Sequence, residues 1–201
     1  MMPATATVYL LDDELGMVKA LERLLRVEGY EVKGFTSAAA FLQTYQPGKE
    51  CCLVLDVAMP ELDGIHLQQR LSQDGILIPL IFVTGHGDIP MSVRAMKAGA
   101  VDFLTKPVIA PELIQAVKVG LARSRERIET ALFASRLSRL TTREREVLEH
   151  VITGDLNKQI AADLGTGEQN IKVHRARVMQ KMEVESLAEL VRMAERVGLK
   201  R

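Results

Sequence analysis

Three carboxylates, one hydroxyl and one ammonium group in this sequence are of the types needed for chemistry on phosphorus. They are Asp12, Asp13, Asp56, Thr84 and Lys106. Neighbouring carboxylates repel one another unless a cation lies between them, and their hard oxygen atoms suit Mg²⁺ or Mn²⁺. A carboxylate can attack phosphorus when a metal ion and an ammonium group neutralise the charge developing on the phosphoryl oxygens. The set indicates an aspartate that accepts a phosphoryl group, provided that the fold brings these residues together.

The elements that must position them are short apolar strands alternating with amphipathic helices. Strands are predicted at 7–12, 30–35, 51–56, 78–83 and 101–104, and helices at 14–28, 37–45, 64–73 and 90–98, with a fifth helix after Pro111. This alternation is typical of an α/β doubly wound, five-stranded parallel sheet. Loops at the carboxyl ends of such strands form the ligand crevice. Each candidate ends or follows a predicted strand, so we expect all of them at one rim of the sheet.

Four motifs resemble the receiver domain of two-component response regulators. In chain order they are Asp12-Asp13, Leu55-Asp56-Val57-Ala58-Met59-Pro60, Thr84-Gly85-His86-Gly87-Asp88 and Asp102-Phe103-Leu104-Thr105-Lys106-Pro107. The resemblance implies that a sensor histidine kinase phosphorylates Asp56. The implied ligands of Mg²⁺ (or Mn²⁺) are Asp12, Asp13, Asp56 and the Ala58 carbonyl. The resemblance further implies that Thr84 and Lys106 contact the phosphoryl group and that a cis peptide bond precedes Pro107.

Two other interpretations of the acidic residues fit the sequence less well. An aspartate-nucleophile hydrolase also uses a strand-end carboxylate, but it needs a second acid two residues later, where this chain has Ala58. The aspartates could instead cap helices, with Lys106 paired to one of them at the surface. We therefore expect no enzyme beyond the receiver's own phosphoryl transfer and slow dephosphorylation.

Two residues near the predicted pocket bear on the lifetime of the phosphorylated form. Ala58 has no polar side chain to orient an attacking water, and we hypothesise that it keeps the phosphoryl group long-lived. An unchanged dephosphorylation rate in Ala58→Asn would contradict this. His86 is either a second contact to the phosphoryl group or an ordinary exposed loop residue.

Thr84 and Phe103 match the switch positions of receivers, where phosphorylation moves the hydroxyl residue and turns the aromatic residue inward. The alternative for Phe103 is a plain core residue. The predicted fourth helix carries Met91 and Met96, whose flexible side chains adapt well to a partner surface. We predict homodimerisation on phosphorylation through about residues 90–104.

A second, all-α domain is predicted behind the sheet. Thr141 and Glu144 have the spacing of a capping box, which marks the start of a helix. Helices are predicted at 142–153, 157–164, 168–182 and 186–197. The expected organisation is a receiver at 1–121, a solvated helical linker at 122–137 and a small helix-turn-helix domain at 138–201, with the helix-turn-helix at about 157–182.

The third of these helices has the charge pattern of a DNA-binding helix. Four basic residues and no acidic residue lie between Glu168 and Glu183. Ile171, Val178 and Met182 form an apolar side, and the opposite side is available for the major groove. We predict base contacts from Gln169, Lys172, Val173 and Ala176 and phosphate contacts from Lys158, Asn170 and Arg177. The alternative is a basic, solvated helix in a purely structural bundle.

The second domain resembles the LuxR-type domain of the NarL/FixJ family. The motifs are Leu140-Thr141-Thr142-Arg143-Glu144-Arg145-Glu146-Val147-Leu148, Asn157-Lys158-Gln159-Ile160-Ala161 and Ile171-Lys172-Val173-His174-Arg175. The chain departs from the family at Thr166 and Gly167, where an apolar residue and a hydroxyl cap are usual, and at Asn170, a usual threonine. Losing the cap costs about 1 kcal/mol, of which glycine recovers part. We expect weaker DNA binding or an altered sequence preference.

Composition narrows the protein class. The chain is 47% hydrophobic and 26% charged with zero formal net charge, and it contains neither an apolar span of membrane length nor a secretion signal. We therefore expect a cytoplasmic protein without a membrane partner. Adjacent Cys51 and Cys52 are interpreted as core residues.

The resulting prediction is a phosphorylation-dependent transcriptional regulator that binds double-stranded promoter DNA, and the resemblance implies activation rather than repression. RNA polymerase is a candidate further partner. Two alternatives stay open, namely a phosphate-independent regulator and a signalling module whose second domain binds protein.

Overall fold

The computed structural model describes residues 6–60, 63–85 and 89–199. The chain forms two compact units, Met1–Ile128 and Glu129–Arg201. The first unit contains a parallel sheet of five strands in the order β2-β1-β3-β4-β5. The strands are β1 Thr7–Leu11, β2 Glu31–Phe35, β3 Cys51–Asp56, β4 Leu80–Thr84 and β5 Asp102–Thr105. The helices are α1 Leu15–Val27, α2 Ala38–Thr44, α3 Gly64–Gln73, α4 Ile89–Lys97 and α5 Ala110–Leu137. The predicted fold class is confirmed.

The sheet is buried on both faces because successive side chains of a strand point in opposite directions. Val8 and Leu10 of β1 belong to one apolar cluster with α1 and α5, whereas Tyr9 and Leu11 belong to the other with α2 and α3. The two cysteines divide in the same way, and both are buried and free. Burial raises the pKa of the Cys51 thiol to about 11, although a hydrogen bond with Ser124 opposes the shift. Their interpretation as core residues is confirmed.

The α5 helix runs without interruption from Ala110 to Leu137, through the predicted linker at 122–137. The linker is less solvated than predicted. Ser124 is buried and its hydroxyl accepts a hydrogen bond from the Cys51 backbone N–H at 3.1 Å, while Phe133 is fully buried in the core of the second unit. Polar residues on the other faces concealed these two buried positions in the sequence.

The second unit packs four further helices around one apolar core. They are α6 Thr142–Thr153, α7 Asn157–Asp163, α8 Glu168–Met182 and α9 Leu187–Arg196. The predicted capping box is present, because Thr141 Oγ1 accepts from the Glu144 N–H and Glu144 Oε2 accepts from the Thr141 N–H. A turn at residues 164–167, with Gly165 at φ +61°, connects α7 to α8. Among the described residues, no helix is both long enough and apolar enough to cross a membrane.

Candidate functional site

The acidic residues meet where β1 and β3 end side by side. Leu11 of β1 is in register with Leu55 of β3, so Asp12 and Asp56 follow at the same edge of the sheet. Both are only 4% exposed, whereas Asp13 is exposed. One carboxylate oxygen from each of Asp12, Asp13 and Asp56 lies within 4.8 Å of the others. Three hard oxygen donors this close fit one small divalent cation.

Lys106 completes the charge balance of this pocket. It follows β5, and the predicted cis peptide bond between Lys106 and Pro107 is present. Its Nζ donates to Asp12 Oδ2 at 2.8 Å and to Asp56 Oδ2 at 3.3 Å, and Glu14 Oε1 lies 3.9 Å away. Glu14 was not among the predicted residues, although its position directly after Asp12-Asp13 is visible in the sequence.

The electrostatics of the pocket follow from burial and from the proximity of these charges. Burial and then the neighbouring Asp12 charge raise the pKa of Asp56, while Lys106 and the Ala58 N–H oppose the shift. Burial lowers the pKa of Lys106, but the hydrogen bond and charge of Asp12, aided by Asp56, outweigh it and the net shift is upward. The ammonium group therefore stays charged beside the carboxylates.

Thr84 lies at the end of β4, next to β3, and is 1% exposed. Its carbonyl accepts a hydrogen bond from the Lys106 backbone N–H at 2.8 Å, which ties the ends of β4 and β5 together. Ala58 is exposed, and its N–H donates to Asp56 Oδ1 at 3.4 Å. Phe103 of β5 is half-buried and its ring centroid lies 6.2 Å from that of Phe82. His86 lies outside the described residues.

Sequence reasoning missed Gly64, the first residue of α3. A β-carbon there would lie 2.5 Å from the carbonyl oxygen of Asp56 and 3.1 Å from Val57 Cα. The Gly64 N–H donates to the Val57 carbonyl at 3.0 Å, and Asp63 caps the helix by accepting from Ile65 N–H. Only glycine lets α3 approach the backbone of Asp56 this closely. The available signal was a glycine directly after an acidic N-cap.

The second candidate site is the exposed face of α8. Ile171, Val178 and Met182 are 0–1% exposed in the core of the second unit, as predicted. All predicted DNA contacts are exposed: Lys158 on α7, and Gln169, Asn170, Lys172, Val173, Ala176 and Arg177 on α8. Packing on one side thus leaves the predicted contact residues accessible on the other.

Two of the four basic residues of α8 are used inside the domain. Lys181 Nζ lies 2.6 Å from Glu144 Oε2, and Arg175 donates to the Asp155 carbonyl at 3.3 Å. Lys172 is 3.9 Å from Glu168, a weak exposed pair one helical turn away. Arg177 forms no ion pair with the described part of the chain. The charge available to a ligand is therefore concentrated at Lys172 and Arg177.

The turn before α8 carries the departures noted in the sequence. Gly167 is the N-cap and provides no side-chain hydrogen bond, as expected. The Asn170 amide donates instead to Thr166 Oγ1 at 3.1 Å. Thr166 and Asn170 thus bond to each other across the first turn, but this bond leaves the backbone N–H groups at the start of α8 without a side-chain cap.

Comparison with known proteins covers both units. A family model described as the response regulator receiver domain matches residues 8–118, and one described as bacterial regulatory proteins, luxR family, matches residues 138–194. Nodulation protein W of Bradyrhizobium diazoefficiens is 46% identical over 198 residues, which cover 96% of this chain and 87% of that protein. Transcriptional regulatory protein FixJ of Rhizobium meliloti is 43% identical over 192 residues, 94% of each chain.

Solved structures show the same likeness. The response regulator StyR is 45% identical, with a TM-score of 0.71 over 96% of this chain and 99% of its own. Full-length FixJ from B. japonicum is 38% identical, with a TM-score of 0.58 over 98% of this chain and 100% of its own.

Proposed function

Since this chain belongs to the response regulators that join a receiver domain to a LuxR-family DNA-binding domain, we propose that phosphorylation of Asp56 controls its binding to promoter DNA. The chain is a transcriptional regulator of a two-component system, not a typical enzyme. The position of Lys106 is the observation that best supports Asp56 as the phosphorylation site. Its ammonium group lies within hydrogen-bonding distance of both Asp12 and Asp56 at the end of the sheet.

The proposed reaction is transfer of a phosphoryl group from a phosphohistidine of the kinase. A carboxylate oxygen of Asp56 forms a bond to phosphorus as the phosphorus–nitrogen bond breaks, and the imidazole leaves and recovers a proton from solvent. Lys106 stabilises the charge on the phosphoryl oxygens, and the Thr84 hydroxyl is the proposed donor from β4. The receiver's contribution is positioning and charge stabilisation.

Asp12, Asp13 and Asp56, with the Ala58 carbonyl, are the residues that would hold Mg²⁺ or Mn²⁺. The closeness of the three carboxylates and their oxygen-only donor set support this assignment. When bound, the cation supplies positive charge to the phosphoryl oxygens. Asp12 is also hydrogen-bonded to Lys106 and to the Glu14 N–H, and both contacts orient its carboxylate.

The proposed output of the receiver is homodimerisation through residues 90–104, with Thr84 and Phe103 as the switch. Exposed apolar side chains on α4 support this surface. Val93 and Met96 are each 44% exposed, and Ile89, one turn before Val93, is 81% exposed. Met91, in contrast, is half-buried and packs against the core, so it is less available to a partner than predicted.

The proposed DNA contacts are Gln169, Lys172, Val173 and Ala176 to base edges and Lys158, Asn170 and Arg177 to phosphates. The exposure of all seven and the burial of the opposite side of α8 support insertion into the major groove. Because Asn170 bonds to Thr166, its contact with phosphate requires that bond to be shared or exchanged. We also propose that the protein activates transcription, with RNA polymerase as a partner. A cytoplasmic location belongs to the proposal because the DNA partner is chromosomal.

The test compares wild type with Asp56→Asn, each with and without acetyl phosphate and Mg²⁺. DNA is selected from a random-sequence duplex pool by the treated wild type, and affinity is then measured by mobility shift at several salt concentrations. We expect the donor to increase the affinity of the wild type alone and binding to weaken with salt. A donor response that survives in Asp56→Asn, or equal affinity in all four samples, contradicts the proposal.

A further inference from the structure

The contact of interest lies between α3 and the carboxyl end of α4. Gln68 of α3 is 5% exposed, and its amide nitrogen donates to the Ala98 carbonyl at 3.2 Å and, more weakly, to the Ala95 carbonyl at 3.5 Å. Carbonyls at the end of a helix lack partners within that helix. A side chain from a neighbouring helix therefore caps α4.

The Gln68 contact is one of a few interactions that hold α4. Of its nine residues, all within the described part of the chain, only Ala95 is fully buried. An element with so little buried apolar surface is weakly held, and single hydrogen bonds then weigh heavily in its position. A second contact to this region, from Arg123 to the Ala100 carbonyl, is 3.4 Å long and comes from an exposed side chain.

Of the two polar atoms of the Gln68 amide, only the nitrogen forms a hydrogen bond with the described residues. Its oxygen is buried, and no hydrogen-bond partner for it exists among the described residues. A buried polar atom without a partner reduces stability. The amide is therefore a poor contributor to the core, although its nitrogen fits the α4 carbonyls well.

Asp56 has the contacts of an unphosphorylated carboxylate, and we call the arrangement that contains them the unmodified arrangement. Both carboxylate oxygens of Asp56 are engaged by the chain's own donors, Oδ1 by the Ala58 N–H and Oδ2 by Lys106. The contacts of Gln68 belong to this same arrangement.

We propose that Gln68 is a positioning residue that holds the carboxyl end of α4 in the unmodified arrangement and so opposes the switch. The inference rests on the proposed function for its biological meaning. On this proposal the Gln68 contacts are absent from the phosphorylation-competent arrangement, so their loss destabilises only the unmodified one and increases the population of the other. We infer that Asp56 takes up phosphate from this second arrangement, so the phosphorylation rate rises with its population.

The test uses the full chain with Gln68→Met, an unbranched replacement of similar size that removes both the donor and the unpaired oxygen. Gln69→Met is the matched control, because Gln69 is the next residue on the same helix and is exposed. Hydrogen exchange of the α4 amides is measured by mass spectrometry without any donor. Phosphorylation by acetyl phosphate with Mg²⁺ is followed by intact mass. If Gln68→Met does not fold, Gln68→Leu takes its place.

Loss of one neutral hydrogen bond corresponds to about fivefold in an equilibrium. We expect exchange in α4 and the phosphorylation rate to rise by about this factor in Gln68→Met and to stay at the wild-type value in Gln69→Met. Unchanged α4 exchange overturns the inference, and so does faster exchange spread over the whole receiver without a change in phosphorylation rate. If the wild type is not phosphorylated on Asp56, the proposed function is contradicted. The comparison of α4 hydrogen exchange between wild type and Gln68→Met still tests the role of Gln68 in that case.

Discussion

The pair formed by Glu144 and Lys181 joins the start of α6 to α8, and its removal has a calculable cost. Glu144 is 3% exposed, and its Oε2 lies 2.6 Å from Lys181 Nζ and 2.8 Å from the Thr141 backbone nitrogen. Glu144→Gln keeps an acceptor for the Thr141 N–H but loses the charge opposite Lys181. A hydrogen bond between charged groups contributes about 1.5–3 kcal/mol, and the 36% exposure of Lys181 places this pair near the lower end. We expect Glu144→Gln to destabilise the second unit by about 1.5 kcal/mol.

Substitution of the partner residue, Lys181→Met, is expected to lower the stability by more, about 3 kcal/mol, since it leaves the buried Glu144 carboxylate without a counter-charge. In the double variant the two losses are less than additive, because the residues contact each other. Urea unfolding of the full chain measures these values. The chain contains no Trp, and all three tyrosines lie in the first unit. Tyrosine fluorescence therefore follows the first unit alone, while far-UV circular dichroism follows both.

The pH dependence supplies a second test of the same pair. Burial favours protonation of Glu144, but the hydrogen bonds from Lys181 and Thr141 outweigh it, so the pKa of Glu144 is lowered in the folded chain. The carboxylate therefore stabilises the fold fully above the ordinary Glu pKa of about 4.3, and this stabilisation is lost as the pH falls through the lower folded-state pKa. We expect the difference in free energy of unfolding between wild type and Glu144→Gln to be present at pH 7 and to disappear in acid. Equal stability at pH 7, additive losses in the double variant, or a gap independent of pH would refute the reasoning.

Three further substitutions test the two sites. Gly64→Ala forces the Asp56 carbonyl or the start of α3 to move, so we expect lower stability of the first unit in tyrosine-monitored unfolding and, under conditions where the unit is still folded, a rate of phosphorylation by acetyl phosphate lower by about tenfold; an unchanged rate contradicts the positioning role. Arg177→Ala should weaken binding to all DNA sequences alike and reduce the salt slope of log affinity by about 1, whereas Lys118→Ala, an exposed position in the first unit, should leave both unchanged in mobility shifts. Val93→Asp should prevent the dimerisation that the phosphoryl donor induces, as measured by sedimentation, whereas Val119→Asp, a control at another exposed apolar site, should not. A dimer that persists in Val93→Asp would exclude α4 as the interface.

The sequence by itself determined the fold class and the identity of the acidic pocket, for a physical reason. Strand and helix periods are local, so the alternation of elements is readable without tertiary structure. In a parallel sheet all carboxyl ends lie at one edge, which is why Asp12, Asp56 and Lys106 were expected together. The apolar side of α8 was readable for the same reason, since it depends only on helical spacing.

Contacts between residues distant in sequence were decided only by the tertiary structure. Gly64 was missed because its importance depends on how closely α3 approaches Asp56, and Gln68 was missed because a buried glutamine resembles an exposed one in a polar run. The charge of Lys181 was attributed to a DNA-facing helix, but its partner Glu144 lies on another helix, and only packing brings the two within 2.6 Å. Periodicity reveals which face of an element is buried, whereas the partner of each polar group depends on how the elements pack.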